Sequence, residues 1–159
     1  MSPTKPTPRD WPRLSIALFY ADPRAAIDWL CRAFGFRVRL LVEGPGGRVE
    51  HSELEYGEAL MMVAGVDVAT AKAGEIWRQR VASPGQLGGR YTANACLHVD
   101  DADAHCAQAR ANGAGICYEP TTTDYGGDYW CDRSYACFDP EGHLWWFMQR
   151  VSTRGQSHG

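Results

Sequence analysis

Two histidines and a glutamate are the side chains of this sequence best suited to hold a metal ion. His51 and Glu53 stand two positions apart in one predicted strand, and His98 stands in another. Residues two apart in a strand point to the same face of a sheet, and two histidines with one carboxylate form a recognised set of metal ligands. Three polar residues on a solvated sheet face are the more common arrangement, so these residues favour a site that binds without a metal.

Cys96 is the second candidate for chemistry, because its thiol lies two positions from His98, which would act as its base. Two residues on one strand face rarely reach the orientation that this chemistry requires, and no third orienting group is evident. The six cysteines include no Cys-x-x-Cys pair, so their spacing supports no structural zinc site. We predict free thiols, as is usual in a reducing compartment.

Aromatic and thioether side chains form the third group, and they are suited to stack on a flat ligand. Strand alternation directs Phe19, Met62 and Trp146 away from the predicted helices, and a predicted loop carries Tyr125 and Trp130. Such surfaces with a few polar groups are typical of pockets for mostly apolar molecules. A dimer contact is the alternative use of the same surface. The predicted ligand-binding residues are Phe19, His51, Glu53, Met62, Asn94, Cys96, His98, Tyr125, Trp130 and Trp146.

The elements that position these residues follow two similar patterns. In the first half, residues 14–20 alternate as a strand does. Asp22, Pro23 and Gly35 bound a helix over residues 23–34, because Asp caps free amides, Pro fits the first turn and Gly ends a helix. Three further strands are predicted at 36–42, 48–56 and 58–64. The first half therefore has the order βαβββ.

The same order returns in the second half. Between the halves lies a less regular stretch, with a short helix at 71–81 and the loop SPGQLGG. Aligning YADPRAAIDWLCRAFGF with VDDADAHCAQARANGAG gives an internal repeat of about eighty residues, which duplication explains. The spacing predicts a strand at 92–99, a helix at 102–112 capped by Asp100 or Asp101, a short strand at 116–119, a loop at 121–130, and strands at 131–138 and 143–149.

We therefore predict one domain of two modules between loose polar ends. Trp29, Phe34, Trp145 and Phe147 are assigned to the core, where large side chains on an alternating face are usually found. His105 and His143 are assigned structural or interfacial roles. The predicted boundaries are a flexible tail at 1–13, a domain at 14–150 made of module one (14–65), a connector (66–91) and module two (92–150), and a flexible tail at 151–159.

Composition and charge exclude several classes of function. The 159 residues are 45% hydrophobic and 22% charged, which is ordinary globular usage. The net charge is −3 and the basic residues are scattered, so no basic stripe is present to bind nucleic acid. No run approaches the ~18 apolar residues of a membrane helix. We expect a cytoplasmic protein whose partner is a small molecule, with no nucleic acid or membrane partner.

The sequence resembles the glyoxalase, bleomycin-resistance and extradiol-dioxygenase group, the vicinal oxygen chelate superfamily. The resemblance covers Leu14 to Arg150 and rests on the Asp22-Pro23 helix entry with AFGF, and on HSELEYGEALMMV, LHVDDADAH and DPEGHLWWF. The sequence is similar in particular to the metal-poor bacterial branch of this superfamily. The resemblance implies an α+β fold in which two tandem βαβββ modules form a concave eight-stranded cleft, and a two-fold homodimer.

The resemblance also bears on metal binding. In the metal enzymes of this superfamily, ligands occupy positions that correspond here to Ser15, Met62, Asn94 and Trp146. None of these is a usual ligand of a hard metal. The resemblance therefore implies a protein with no metal and no cofactor.

The function implied is that of a binding protein, similar to the bleomycin-resistance members, which sequesters or carries an aromatic or cationic small molecule. Glu53 and Glu55 would supply negative charge, and aromatic walls attract cations. The alternative is a metal-dependent lyase, isomerase or dioxygenase in which Glu53 moves a proton. In that alternative, His51, Glu53 and His98 form a shifted metal site.

Overall fold

The computed structural model describes residues 11–67 and 74–153, and the chain divides into two compact units, Met1–Ala82 and Ser83–Gly159. Within the described residues, each unit combines four strands with one α-helix, which confirms the predicted α+β fold of two tandem modules. Among the described residues, no helix has the length and apolar character needed to cross a bilayer.

The first unit is a four-stranded sheet with one helix packed on it. Its elements are β1 (Ile16–Tyr20), α1 (Pro23–Phe34), β2 (Arg37–Glu43), β3 (Val49–Tyr56) and β4 (Ala59–Gly65), with 3-10 turns at Pro45–Gly47 and Ile76–Arg80. The strands lie in the order β1-β4-β3-β2. β1 runs parallel to β4, and the other neighbours are antiparallel.

The second unit has the same architecture. Its elements are a 3-10 turn at Pro84–Leu87, β5 (Ala95–His98), α2 (Ala102–Ala111), β6 (Gly115–Asp124), β7 (Trp130–Phe138) and β8 (Leu144–Thr153). The strand order is β5-β8-β7-β6, with β5 parallel to β8 and the other neighbours antiparallel.

The two units repeat one another in register as well as in order. Ala17 of β1 pairs with Met62 of β4, and Cys96 of β5 pairs with Trp146 of β8. Ala17 and Cys96 each stand five positions before the aspartate that caps the following helix. Met62 and Trp146 are therefore equivalent positions in the two halves.

Each helix buries an apolar stripe against its sheet. Leu30 and Phe34 of α1 are fully buried, as are Trp145 and Phe147 of β8. Removing a large side chain from water contributes about 1.5–3 kcal/mol, so these residues account for much of the stability of each unit. All four aromatic residues assigned to the core are buried, which confirms that prediction.

Strand β6 is longer than predicted, so the prediction of a short strand at 116–119 followed by a loop at 121–130 is wrong. It continues to Asp124, because Thr121, Thr122 and Thr123 pair with β7 and β-branched residues suit a pleated strand. Pro120 has no amide to donate, and the ladder accommodates it by a register irregularity between Tyr118 and Thr121. The predicted loop at 121–130 reduces to a hairpin turn in which the Tyr125 amide donates to the Trp130 carbonyl at 3.0 Å.

Strand β8 also differs from its predicted bounds. It runs to Thr153 instead of ending at 149, because β7 begins as early as Trp130 and Thr153 pairs with it. His143 precedes the strand and donates its amide to Asp139 Oδ1 at 3.0 Å. In the connector, residues 76–80 form a 3-10 turn in place of the predicted helix, and 71–73 lie outside the described residues, as do 1–10 and 154–159 of the predicted tails.

The cap of α2 gives a test of how this helix is held. Asp101 accepts a hydrogen bond from the Ala104 amide at 2.9 Å, so Asp101→Ala is expected to lower the free energy of unfolding by about 1 kcal/mol. Asp100→Ala removes the same charge one position earlier and serves as the control, with an expected change within about 0.5 kcal/mol. Urea denaturation followed by circular dichroism measures both. Equal losses in the two variants would contradict the assigned cap.

Candidate functional site

The second sheet presents one face to α2 and the other away from it. Three contacts fix the α2 face: Arg133 with Asp103 at 2.6 Å, the Tyr135 hydroxyl with His105 at 2.5 Å, and Gln149 with the Ala102 amide at 3.0 Å. Side chains alternate along a strand, so the intervening residues point away. This helix-free face carries Cys96, His98, Trp130, Asp132, Ser134, Ala136, Trp146, Met148 and Arg150. Asn94 precedes β5 and lies beside Cys96.

The middle of this face is apolar and aromatic. Cys96, Trp146, Ala136 and Tyr118 form one row across the four strands. The rings of Tyr118 and Trp146 have their centroids 5.3 Å apart at an interplanar angle of 50°. Trp146 is half-buried and Tyr118 is exposed. A flat molecule placed here would contact two rings that are already held against each other.

One end of the same face is charged and rich in exposed rings. The Arg150 Nε donates to Asp132 Oδ1 at 2.5 Å, and the Arg150 guanidinium lies 4.8 Å from the centroid of the Trp130 ring. Tyr125 and Tyr129 of the hairpin turn place their rings 6.1 and 6.0 Å from that of Trp130. The exposed fraction is 39% for Trp130 and 52% for Tyr125.

The thiol of Cys96 makes a hydrogen bond with Asn94 and not with His98. The Asn94 Nδ2 lies 3.3 Å from the Cys96 Sγ, and the described part of the chain shows no hydrogen bond between Cys96 and His98. A base must lie within hydrogen-bond reach of the nucleophile that it activates. The arrangement therefore gives no support to Cys96 as a nucleophile activated by His98.

The helix-free face of the first sheet carries four of the predicted ligand-binding residues. Phe19 and Met62 lie half-buried on this face. Leu60 shares the face of Met62 and pairs with Glu55, so Glu55 lies on this face too. Glu53 and His51 stand two and four positions before Glu55 in β3 and therefore point the same way. Glu53 is buried and paired on both sides: its Oε1 accepts a hydrogen bond from His51 Nε2 at 3.0 Å, and its Oε2 forms an ion pair with Arg39 Nε at 3.3 Å. A buried carboxylate is costly unless it is paired in this way.

The two glutamates expected to attract a cation each have an arginine partner. Arg39 pairs with Glu53, and Arg37 pairs with Glu55 at 2.8 Å. Arg39 in turn lies over the Trp11 ring at 5.9 Å. Because each negative charge is offset by a neighbouring positive one, this face offers little net charge to a cationic ligand.

The structure thus places the predicted residues in two groups. Phe19, His51, Glu53 and Met62 share one face of the first sheet, while Cys96, His98, Trp130 and Trp146 share one face of the second, with Asn94 beside Cys96 and Tyr125 in the turn beside Trp130. Sequence reasoning missed Tyr118, Asp132 and Arg150 on that second face. Arg150 was detectable, because it lies four positions after Trp146 in one strand and alternation returns it to the same face.

The four positions that the resemblance assigns to metal ligands carry side chains that do not fit a hard metal ion. Ser15 and Asn94 immediately precede β1 and β5, and the equivalent residues Met62 and Trp146 face away from the helices. A hydroxyl, an amide, a thioether and an indole supply no imidazole or carboxylate. Within each unit, the described residues contain no group of three His, Cys, Asp or Glu side chains arranged to hold a metal. The set of His51, Glu53 and His98 draws on both units and stays a prediction.

Two tandem βαβββ modules, each with a helix on one sheet face, define the class of protein. A family model described as the Glyoxalase/Bleomycin resistance protein/Dioxygenase superfamily matches residues 14–147. The chain belongs to this superfamily, as the sequence motifs predicted.

Solved structures show the same fold. TioX from Micromonospora sp. ML1 is 30% identical, with a TM-score of 0.62 over 87% of this chain and 98% of that one. TnmS3, described as an antibiotic binding protein from Streptomyces sp. CB03234, is 17% identical, with a TM-score of 0.56 over 86% and 93%. FosX, a fosfomycin resistance protein from Listeria monocytogenes, is 12% identical, with a TM-score of 0.55 over 86% and 90%. No curated protein matches the chain by sequence.

Thiol reactivity tests the placement of Cys96 on an accessible face. Cys96 is exposed, whereas burial raises the pKa of the Cys137 thiol to about 12, with the nearby Cys117 and Cys106 adding to the shift. The thiolate is the reactive form, and at pH 8 a thiol of that pKa is only about 0.01% ionised. We expect a brief iodoacetamide pulse on the native protein to label Cys96 and spare Cys137.

Peptide mass spectrometry measures that labelling, and the same pulse in urea serves as the control because unfolding exposes both thiols. Labelling of Cys137 in the native protein at the rate of Cys96 would contradict the assigned faces.

Proposed function

We propose that this protein binds a planar aromatic small molecule without a metal and sequesters or carries it. The observation that supports this most directly is the pair of equivalent positions Met62 and Trp146. Where superfamily enzymes place metal ligands, this chain places a thioether and an indole on the helix-free faces of its sheets. Both groups favour contact with flat apolar surfaces over coordination of a hard ion.

The surroundings of Trp146 support a binding surface. Tyr118 adds a second ring at 5.3 Å, and Met148 lies next on the same face of β8. Cys96, Asn94 and His98 border these groups with weakly polar and hydrogen-bonding atoms. Apolar walls with a few polar groups that fix orientation are the usual composition of small-molecule sites.

The charge pattern favours an aromatic ligand over a cationic one. Glu53 and Glu55 are each paired with an arginine, so the attraction that they would exert on a cation is largely offset. The description of TnmS3, which has the same fold, as an antibiotic binding protein supports a small-molecule ligand. The homodimer and the cytoplasmic location stay predictions.

Replacing Trp146 tests the binding surface. We expect Trp146→Ala to weaken binding of planar aromatic compounds by ten-fold or more, because about 1.5–3 kcal/mol of ring burial is lost and ~1.4 kcal/mol corresponds to ten-fold. A thermal-shift screen of such compounds identifies ligands, and isothermal titration of the variant measures the loss.

Trp77→Ala serves as the matched control, because Trp77 is an exposed tryptophan in the 3-10 turn at 76–80, where the Arg78 guanidinium lies 4.8 Å from the centroid of its ring. Undiminished binding by Trp146→Ala, or an equal loss in Trp77→Ala, would count against the proposal.

Elemental analysis tests the absence of a metal. Protein purified without chelators and dialysed is expected to hold well under one equivalent of nickel, zinc, iron or manganese. The reason is that none of Ser15, Met62, Asn94 and Trp146 is a usual ligand of a hard metal. His51→Ala is expected to leave the metal content unchanged. Near-stoichiometric metal that disappears in His51→Ala would instead support the metal-dependent lyase, isomerase or dioxygenase.

A further inference from the structure

We propose that Arg150 binds an acidic group of the ligand, so that the ligand is a planar aromatic carboxylate. This inference rests on the proposed binding function and adds the chemical class of the molecule bound. It depends on the end of the second sheet where Arg150, Asp132 and Trp130 meet, and not on the charges of the first sheet.

Arg150 is held in a fixed orientation by two contacts. It pairs across the sheet with Asp132, whose Oδ1 accepts from Arg150 Nε at 2.5 Å. The side chain of Asp132 is only 7% exposed, so this carboxylate is a rigid anchor. The Trp130 ring lies 4.8 Å from the guanidinium carbon and supports its plane from one side. An arginine held in advance loses less conformational freedom when it binds a ligand.

The terminal amino groups of Arg150 remain available. Its Nε is used by Asp132, and within residues 11–67 and 74–153 neither terminal nitrogen has a hydrogen-bond partner. The side chain is 37% exposed. These two nitrogens form the end of the guanidinium fork, whose spacing matches the two oxygens of a carboxylate. The free donors therefore suit a planar acid better than an uncharged or cationic group.

Asp132 does not prevent an anion from binding. It contacts the Nε edge of the guanidinium, so a carboxylate at the terminal nitrogens lies on the far side of the positive charge. Coulomb energy falls with the inverse of distance, so attraction to the adjacent guanidinium exceeds repulsion from Asp132 by a factor of about two. Asp132 acts as a positioning residue for Arg150.

The aromatic part of the ligand follows from the residues beside Arg150. Trp146, Met148 and Arg150 occupy successive positions on one face of β8, and a rise of ~3.3 Å per residue puts Arg150 about 13 Å from Trp146. A molecule of three linearly fused rings with a terminal carboxylate comes close to spanning this distance. Its rings would lie over Met148 and Trp146 while its acid group reaches Arg150.

A matched pair of probes tests the inference. Anthracene-2-carboxylate and anthracene-2-carboxamide share their ring system and differ in charge. We expect the wild-type protein to bind the acid at least ten-fold more tightly than the amide, and Arg150→Met to bind the acid no more tightly than the amide. Isothermal titration at low and high salt measures the two affinities. The preference of the wild type for the acid should shrink at high salt, because salt screens the attraction between exposed charges.

Control variants separate binding from folding. Arg150→Met leaves Asp132 buried without its partner, so the double variant Arg150→Met/Asp132→Asn removes that charge as well and should show the same loss of preference. Arg133→Met is the matched control, because Arg133 lies on the opposite face of the sheet and pairs with Asp103. It should retain the preference for the acid.

The outcomes distinguish this inference from the proposed function. Equal binding of acid and amide by the wild type, or a preference that survives in the double variant, overturns the role of Arg150 and leaves aromatic binding intact. If neither probe binds while other uncharged aromatic compounds from the screen do, only the claim that the ligand is a carboxylate is overturned. If no aromatic compound binds, both proposals fail. Probe binding that weakens as protein concentration rises would identify a second copy of the chain as the occupant and overturn the inference.

Discussion

Each helix covers one face of its four-stranded sheet, and this division of faces determines what every strand residue can do. Every second strand residue points to the core beneath the helix, as Trp145 and Phe147 do beneath α2. Their neighbours, such as Trp146, are thereby directed to the other face. Because side chains alternate with a strict period of two, a slip of one residue would exchange the two sets. The burial of the apolar set therefore maintains the position of the binding residues.

The faces were predictable from the sequence, whereas contacts that depend on strand register were not. Alternation in residues 92–99 and 143–149 correctly separated Cys96 and Trp146 from the core. The pairing of Asp132 with Arg150 depends on which residues of β7 and β8 lie opposite each other, and β8 runs past its predicted end. The irregularity at Val38 and Leu40 places Leu40 opposite Glu53, which strict alternation from Arg37 does not predict.

The two modules have kept one backbone plan and taken on different surface chemistry. The helix-free face of the first sheet holds a buried carboxylate between Arg39 and His51. That of the second holds contacting rings at Tyr118 and Trp146. Both differences arise from side chains on the sheet faces that the helices do not cover. A duplicated fold can diverge in this way without a cost in stability where the changed positions lie outside the packed face.

The irregular ladders of β2 and β6 have a further consequence for the behaviour of the protein in concentrated solution. Both strands lie at an edge of their sheet, and each departs from regular pairing at two places. In β6 one of these coincides with Pro120, which cannot donate to an incoming strand. An edge that is kinked and lacks a donor is a poor template for edge-to-edge polymerisation. These interruptions therefore make β2 and β6 poorer templates for an added strand than regular edges would be, and on β2 they lie among the exposed apolar residues Leu40 and Val42.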